Sequence, residues 1–543
     1  MSLLPGNIPR KPQPPTATAD DLAAAISPIT DPAQAARVEI ETPGVSLTTR
    51  VTGAFLYSLA NTLGAKAINL GLQLALAWLL DRQAFGLIAL AYTVTTFIGL
   101  LQQIGLRDVL IHRQRHFHRW ANAAFWLSMA SGIAAAFLTC AVAPLAARLY
   151  HRPELVKLLF LLAAMIPIAN LSVVPAARLS AQMRFGLLCG FNLFSTALVA
   201  GLSIFFAYRG FGAYSFVLPR LIESGVRAIF CWTAAPIALQ SGPQFRRWRF
   251  LLGDSLLVLG ANAAFLLTSQ GDNILLGLHA DGAAVGIYYF AFNLSIQGTM
   301  LLVVNLFEVL LPSLASMDRD PVRQTSALLR AMRAMCLVSV PICLLQTATA
   351  EPLIHLLFGP RWYPAIPIVQ VLAIGMSFHV LSWPTHGLVT AQGRFRANFF
   401  MALWMGALFV AVVYLSLTTK LTISLGGKWN DPGFRTAVGV SVAYAIMHPI
   451  YLYIAIRPAG LGAHAIIKTC AGPYIAAGWA ALVGVVASRL LPASLNREWY
   501  RLTVIVIAGG ATYSGIVWFL MPDSRKIIRL LGELSRRSTV PRE

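Results

Sequence analysis

The sequence predicts an all-α polytopic membrane protein of about 14 transmembrane helices, built as two homologous six-helix halves plus a C-terminal helix pair. Three observations predict it: an apolar composition, a succession of apolar runs long enough to span a bilayer, and an internal repeat. Of the 543 residues 57% are hydrophobic and 12% charged, and the mean hydropathy is +0.68. Soluble domains carry roughly 25% charged residues, so this chain has too few to cover a water-facing surface. That excludes a soluble enzyme, a coiled coil and a nucleic-acid-binding module. Six cysteines (Cys140, Cys189, Cys231, Cys336, Cys343, Cys470) fall inside apolar runs without a CxxC pair. They read as small core hydrophobes, not as disulfides or a zinc site.

Taken in order, residues 1–50 differ in kind from the rest. Five prolines lie between Pro5 and Thr18, and short Ala runs beyond them are broken by Asp, Glu and Pro. This stretch reads as a disordered cytoplasmic tail, with no apolar core fit for a signal peptide. A helix needs about 20 apolar residues to cross the hydrocarbon. Such runs fall at 54–80, 85–106, 121–147, 156–177, 187–208 and 212–238, making an N-terminal half over 51–240. Six more, at 250–278, 284–311, 332–357, 364–391, 397–418 and 436–456, make a C-terminal half over 250–457. An extra pair at 464–488 and 502–521 occupies 464–521, and 522–543 is a basic cytoplasmic tail.

The net charge is +21, and the distribution of Lys and Arg between alternate loops gives the orientation. With the N-terminus inside, 27 Lys and Arg fall in inner loops and 12 in outer loops, while Lys66, Arg220 and Arg227 stay within spans. Basic residues gather in cytoplasmic loops, so both termini are expected there.

The chain also repeats itself. Residues 81–110 align with 281–310 at an offset of 200, sharing Asp81/Asp281, Ala84/Ala284, Gly86/Gly286 and Ala91/Ala291 among others. Ser180-Ala-Gln-Met-Arg-Phe185 matches Thr390-Ala-Gln-Gly-Arg-Phe395 at an offset of 210. Six spans per half would orient both repeats the same way, a transporter architecture with the site between the halves.

Charges inside spans are costly, so each is a functional candidate. Thr62, Lys66, Asn69 and Gln73 lie on one stripe of the first span. The seventh span, which opens the second half, carries Ser255, Asn262, Ser269 and Asn273 with Asp272 beside them. The alternative is helix–helix glue, since Asn and Ser bond across packed spans, although glue needs neither a Lys nor an Asp. The sixth span holds Arg220, Glu223 and Arg227, where Glu223 can pair with either arginine along the face. Structural pairing and a cationic lining for a phosphate-bearing substrate both fit that trio. His112, His116 and His118 sit in a basic loop with no acidic cluster, so a metal is not expected there. Asp318-Arg-Asp320 reads as a solvated turn and Arg209-Gly-Phe-Gly-Ala as a tight external turn; neither has the context of a nucleotide site.

A series of motifs carries a resemblance. Phe85-Gly-Leu-Ile-Ala-Leu-Ala91, Ile104-Gly-Leu, Pro175-Ala-Ala-Arg-Leu-Ser-Ala-Gln-Met-Arg-Phe185, Asp272-Asn-Ile-Leu-Leu-Gly, Val285-Gly-Ile-Tyr-Tyr-Phe-Ala291, Leu311-Pro-Ser-Leu-Ala315, Gly359-Pro-Arg-Trp362 and Ala391-Gln-Gly-Arg394 follow in order over about 50 to 460. The ordered set resembles the bacterial oligosaccharide and polysaccharide flippases of the multidrug/oligosaccharidyl-lipid/polysaccharide exporter superfamily. The resemblance implies a flippase, not an enzyme, that moves undecaprenyl-diphosphate-linked sugar repeats outward by alternating access, for exopolysaccharide, O-antigen or capsule. It implies a positively lined cavity, for which Lys66, Arg220 and Arg227 are candidates, with Asn69, Gln73, Asn262 and Asn273 beside them. Ion coupling to protons or sodium is a superfamily expectation, and Asp272 and Glu223 are the candidate carboxylates. No catalytic residue, metal or cofactor is expected. The expected partners are the lipid-linked oligosaccharide and membrane lipids, with a polysaccharide polymerase and export machinery as further candidates, and no nucleic acid. A lipid II flippase or cation-coupled drug exporter of the same superfamily stays open, as does a membrane polymerase or ligase. The last should carry a large external loop with catalytic Arg or His; the outer loops near 419–435 and 489–501 are short and lack His.

Overall fold

The computed structural model describes residues 47–99, 117–181, 185–237, 242, 248, 255–297, 320–419, 430–491 and 497–520. The chain divides at Leu56/Tyr57 into two units. The described residues of the first are the start of one helix, and the second, Tyr57–Glu543, is the helical body. Among the described residues the ordered structure is helical, with no strand.

The N-terminal half contains α1 (Leu47–Leu79), α2 (Arg82–Gly99), α3 (Phe117–Leu149), α4 (Glu154–Asn170), α5 (Val173–Ala181), α6 (Phe185–Tyr208) and α7 (Tyr214–Ala234). The C-terminal half contains α8 (Ser255–His279), α9 (282–297), α10 (Pro321–Leu357), α11 (Ala365–His379), α12 (Ser382–Ala391), α13 (Phe395–Thr418) and α14 (Pro432–Ile456). The final pair is α15 (Ala463–Arg489) and α16 (Glu498–Leu520). Each of the fourteen apolar runs overlaps a helix or a helix pair. Among the described residues, eight helices are long and apolar enough to cross a membrane, or nine if the bent pair α4–α5 is one span. Large side chains on their outer surfaces are bare: Phe137 on α3 is 76% exposed and Phe400 on α13 65%. In water such rings would cost free energy in proportion to their area; against lipid they cost nothing.

The two halves pack by one scheme. In the first, α3 packs on α4, α4 on α7 and α7 on α6. In the second, α10 packs on α11, α11 on α14 and α14 on α13. Both halves break the same span. α4 stops at Asn170 and resumes as α5 with a bend of 43°, and α11 stops at His379 before α12 begins at Ser382. The pair α15–α16 packs against α10.

Local chemistry explains the boundaries. The Asp81 and Asp281 carboxylates accept the backbone N–H of Ala84 and Ala284, each at 2.9 Å, capping α2 and α9 alike. Asp320 caps α10 by accepting from Val322 and Arg323, which makes the acidic end of the Asp318–Asp320 motif a helix cap. Gly393 adopts φ +69°, and the N–H groups of Gly393 and Arg394 close onto the carbonyls of Thr390 and Val389. That is a Schellman stop, so the Ala391-Gln-Gly-Arg394 motif terminates α12. The Arg209–Ala213 segment is the tight turn expected, with Gly210 and Gly212 both at positive φ. The side chains of the 112–118 histidine loop lie outside the described residues.

Candidate functional site

The halves meet first at the starts of α2 and α9, where Gly86 and Gly286 let the two backbones touch. Phe85 stands edge-on to Phe290 and to Trp362, whose ring lies 4.1 Å from Phe290. The Trp362 indole N–H donates to the Ala77 carbonyl at 2.8 Å, and Arg361 Nη1 donates to the Leu80 carbonyl at 2.9 Å. Both of these bonds run from the α10–α11 connection to the end of α1.

Deeper along the same helices the contact opens into a cavity of about 320 Å³. Its wall combines Tyr92 of α2 and Arg220 of α7 with Gln270 and Asn273 of α8 and Tyr289 and Asn293 of α9. Both halves contribute, and the wall is polar. The Arg220 guanidinium lies 5.6 Å from the centre of the Tyr92 ring and is exposed to the cavity. Thr93 Oγ1 donates across the halves to Gln270 Oε1 at 3.2 Å. Lys66 on α1 reaches across as well, donating from Nζ to Gln297 Oε1 on α9 at 3.4 Å.

The residues singled out in the sequence thus separate into groups. Arg220 and Asn273 line the cavity, and Lys66 bridges the halves nearby. Asn69 is exposed, and Gln73 Nε2 is buried with no hydrogen-bond partner. The Asn262 side chain lies outside the described residues. Arg227 and Glu223 sit elsewhere, between α6 and α7. Arg227 Nε donates to Glu223 Oε1 at 2.7 Å, Ser195 donates to the same carboxylate oxygen at 2.5 Å, and Arg227 Nη1 donates to Asn192 at 3.2 Å. The Arg227 guanidinium also covers the Phe191 ring at 5.2 Å. Asp272 turns away from the cavity, fully buried in the C-terminal half, where Tyr288 OH donates to Oδ2 at 2.6 Å and the Asn273 N–H to Oδ1 at 2.8 Å.

Sequence reasoning missed Tyr92, Gln270, Tyr289, Asn293 and Gln297. Asn293 and Gln297 stand at i and i+4 in a mostly apolar run, the same stripe signal that marked α1, so they were findable. The aromatic wall was not, because a Tyr in an apolar run is ordinary core.

A cavity walled by two halves with one packing scheme defines a two-half membrane transporter fold. A family model described as "Polysaccharide biosynthesis protein" matches residues 75–367, more than half of the chain, and the chain belongs to that family. It is 24% identical over 326 residues to the succinoglycan biosynthesis transport protein ExoT of Rhizobium meliloti, covering 60% of this chain and just under two thirds, 65%, of that one. It is 25% identical over 334 residues to the teichuronic acid biosynthesis protein TuaB of Bacillus subtilis, covering 60% and 69%. Against the lipopolysaccharide biosynthesis protein WzxC of Escherichia coli it is 21% identical over 374 residues, covering 66% and 74%. Among solved structures, the lipid II flippase MurJ in an inward closed conformation superposes with TM-score 0.67 at 12% identity, over 86% of this chain and 99% of that one. An inward-facing MATE transporter of the MOP superfamily gives 0.51 at 15% identity, over 77% and 96%. These two likenesses show the fold.

Proposed function

We propose that the protein is a flippase that carries undecaprenyl-diphosphate-linked oligosaccharide repeat units across the bacterial inner membrane for surface polysaccharide synthesis. The observation that carries the reading is the inter-half cavity, where Arg220 faces a polar wall supplied by both halves and Lys66 bridges the halves from α1 to α9. A sugar head cannot cross hydrocarbon unaided, while a polyprenyl tail stays in lipid. A diphosphate is drawn to Lys66 and Arg220, and the field of these cations is strengthened where water is scarce. Arginine adds a bidentate fork for phosphate oxygens. With the orientation set by loop charge, the Gly86–Gly286 contact closes the outer end, so this conformation loads from the cytoplasm. Alternating access then opens that contact and closes the inner end. ExoT, TuaB and WzxC serve succinoglycan, teichuronic acid and lipopolysaccharide biosynthesis, which supports the cargo class.

Deleting the gene should stop surface polysaccharide and leave lipid-linked repeat units unpolymerised on the cytoplasmic leaflet. Lys66→Ala and Arg220→Ala should reach normal membrane abundance yet fail to restore export. Intact polysaccharide with new sensitivity to cationic drugs would support a drug exporter instead. Repeats that reach the outer leaflet unpolymerised would support a polymerase.

A further inference from the structure

A second cavity, of about 220 Å³, lies inside the C-terminal half and shares no lining residue with the cavity between the halves. His379, His386 and His448 all line it, together with Thr268, Asn398 and Tyr451. No local pattern in the sequence marks these histidines. His379 Nδ1 and His448 Nε2 stand 3.1 Å apart, both rings buried. Ring nitrogens at that distance are hydrogen-bonded when one carries a hydrogen and the other a lone pair. The remaining nitrogen of His448, Nδ1, is buried with no hydrogen-bond partner. The cavity therefore adjoins a ring pair whose outer valence is unfilled.

The surroundings fix what the pair can hold. Tyr444 stacks on His379 at 4.8 Å and lies 5.1 Å from His448. Asp272 acts electrostatically on that same tyrosine. The titratable groups around the pair are His386 from α12 and Tyr444 and Tyr451 from α14 itself, while Asp272 from α8, bonded to Tyr288 from α9, reaches the pair only through Tyr444. α10 presents Met335 near the break, α13 the neutral Asn398, and α15 the hydroxyl of Tyr474, which donates to the Ser377 carbonyl. One added proton makes one ring an imidazolium that donates to its neutral neighbour, so the two rings share the charge. A second proton would put like charges 3.1 Å apart in a buried site, which opposes it.

The position in the fold matters as much as the chemistry. His379 is the last helical residue of α11, at the break before α12. Its counterpart in the other half is Asn170, the last residue of α4, whose amide donates to the Ser128 carbonyl at 2.7 Å. One hinge carries a permanently neutral amide locked on backbone, and the other a titratable ring locked on a second titratable ring.

We propose that the His379–His448 pair is a one-proton binding site at the hinge of the C-terminal half, and that its occupancy sets how α12 packs against α11 and α14. The site itself does not depend on the cargo. Its use in transport rests on the flippase reading.

The test uses the full-length protein in nanodiscs, labelled with ¹⁵N-histidine and titrated by NMR between about pH 5 and 8, with no cargo present. The expected result is an N–H···N coupling between two rings that take up a single proton together, abolished in His448→Gln. Two rings that stay neutral across the range, or that titrate independently, overturn the proposal. A transport readout comes next, in which His379→Asn places the other half's hinge residue here. Wild-type export should change several-fold across that range, and export by the variant should lose that dependence. A pH profile unchanged in both His379→Asn and His448→Gln would overturn the coupling. Should His379→Asn fail to fold, His448→Gln alone decides both arms. Failure of the cargo reading would appear in the gene deletion and leave the NMR result standing.

Discussion

Gly86 and Gly286 pack reciprocally: a Cβ on Gly86 would land on the carbonyl oxygen of Gly282, and a Cβ on Gly286 on that of Arg82. Each glycine therefore meets the residue four positions before its counterpart, as two related helices must when they cross about a local two-fold axis. No side chain longer than hydrogen permits this approach. The contact is backbone on backbone, so nothing flexible can yield.

Gly86→Ala and Gly286→Ala should each force the helices apart at a cost of about 1–3 kcal/mol to the closed arrangement. With the loop-charge orientation, that shifts the population toward a state open to the outside. An impermeant maleimide applied outside should then label a cysteine placed at Tyr92 faster in either variant than in the Tyr92→Cys background. The double variant should fall short of the sum, since both changes relieve one crossing. Labelling that stays at the background rate would show that the contact is not a gate.

Trp362 anchors the same end. Its side chain is fully buried, held by Ala77 through the indole N–H and by the rings of Phe85 and Phe290. Trp362→Ala should cost about 3–5 kcal/mol and lower the thermal midpoint of the detergent-purified protein. Trp362→Phe keeps the ring contacts and loses the hydrogen bond, worth about 1 kcal/mol. A midpoint for Trp362→Phe close to that of Trp362→Ala would mean that the Ala77 bond, not the ring packing, holds the junction.

Much of this was legible in the chain. The offset of 200 that pairs Gly86 with Gly286 in the sequence is realised as their backbone contact, and the offset of 210 falls at the equivalent ends of the broken spans α4–α5 and α11–α12. Composition pointed to the membrane class because burial in lipid reverses the usual surface rule. The Gly359-Pro-Arg-Trp362 motif is likewise the inter-half anchor. What could not be read was which way a polar side chain turns. Asp272 and Asn273 are neighbours in sequence, yet Asn273 lines the inter-half cavity while Asp272 points into its own half. Adjacent helical residues point about 100° apart, so a stripe identifies a face only when every member lies on it. The histidine pair joins residues 69 positions apart, a relation that no local pattern carries.

The topology rests on loop charge, with both termini expected in the cytoplasm. A periplasm-dependent reporter such as alkaline phosphatase should be inactive when fused after Arg537 and active when fused after Lys428. An active C-terminal fusion would invert the orientation, and with it the assignment of the glycine crossing to the outer end.

Arg220 and Arg227 share a helix face but not their neighbours. Seven residues separate them, about 10 Å along the axis. At one level the neighbour is Tyr92 across the helices of the first half; at the other it is the α6 pair Asn192 and Ser195 together with Glu223. Arg227 is one-third exposed and Glu223 16% exposed. Their pairing should therefore be worth more than an exposed pair, at about 0.5 kcal/mol, and less than the roughly 3–5 kcal/mol lost on breaking a buried one. Glu223→Gln leaves Arg227 facing low dielectric without its countercharge, so it should lower membrane abundance and thermal stability. Glu223→Gln combined with Arg227→Gln removes both charges and should recover most of that loss, with export retained. Arg220→Ala should do the reverse, leaving abundance unchanged and export abolished, because its charge faces the cavity and not a carboxylate. If the Glu223/Arg227 double variant is as stable as wild type but exports nothing, then Arg227 binds cargo and the two arginines act together after all.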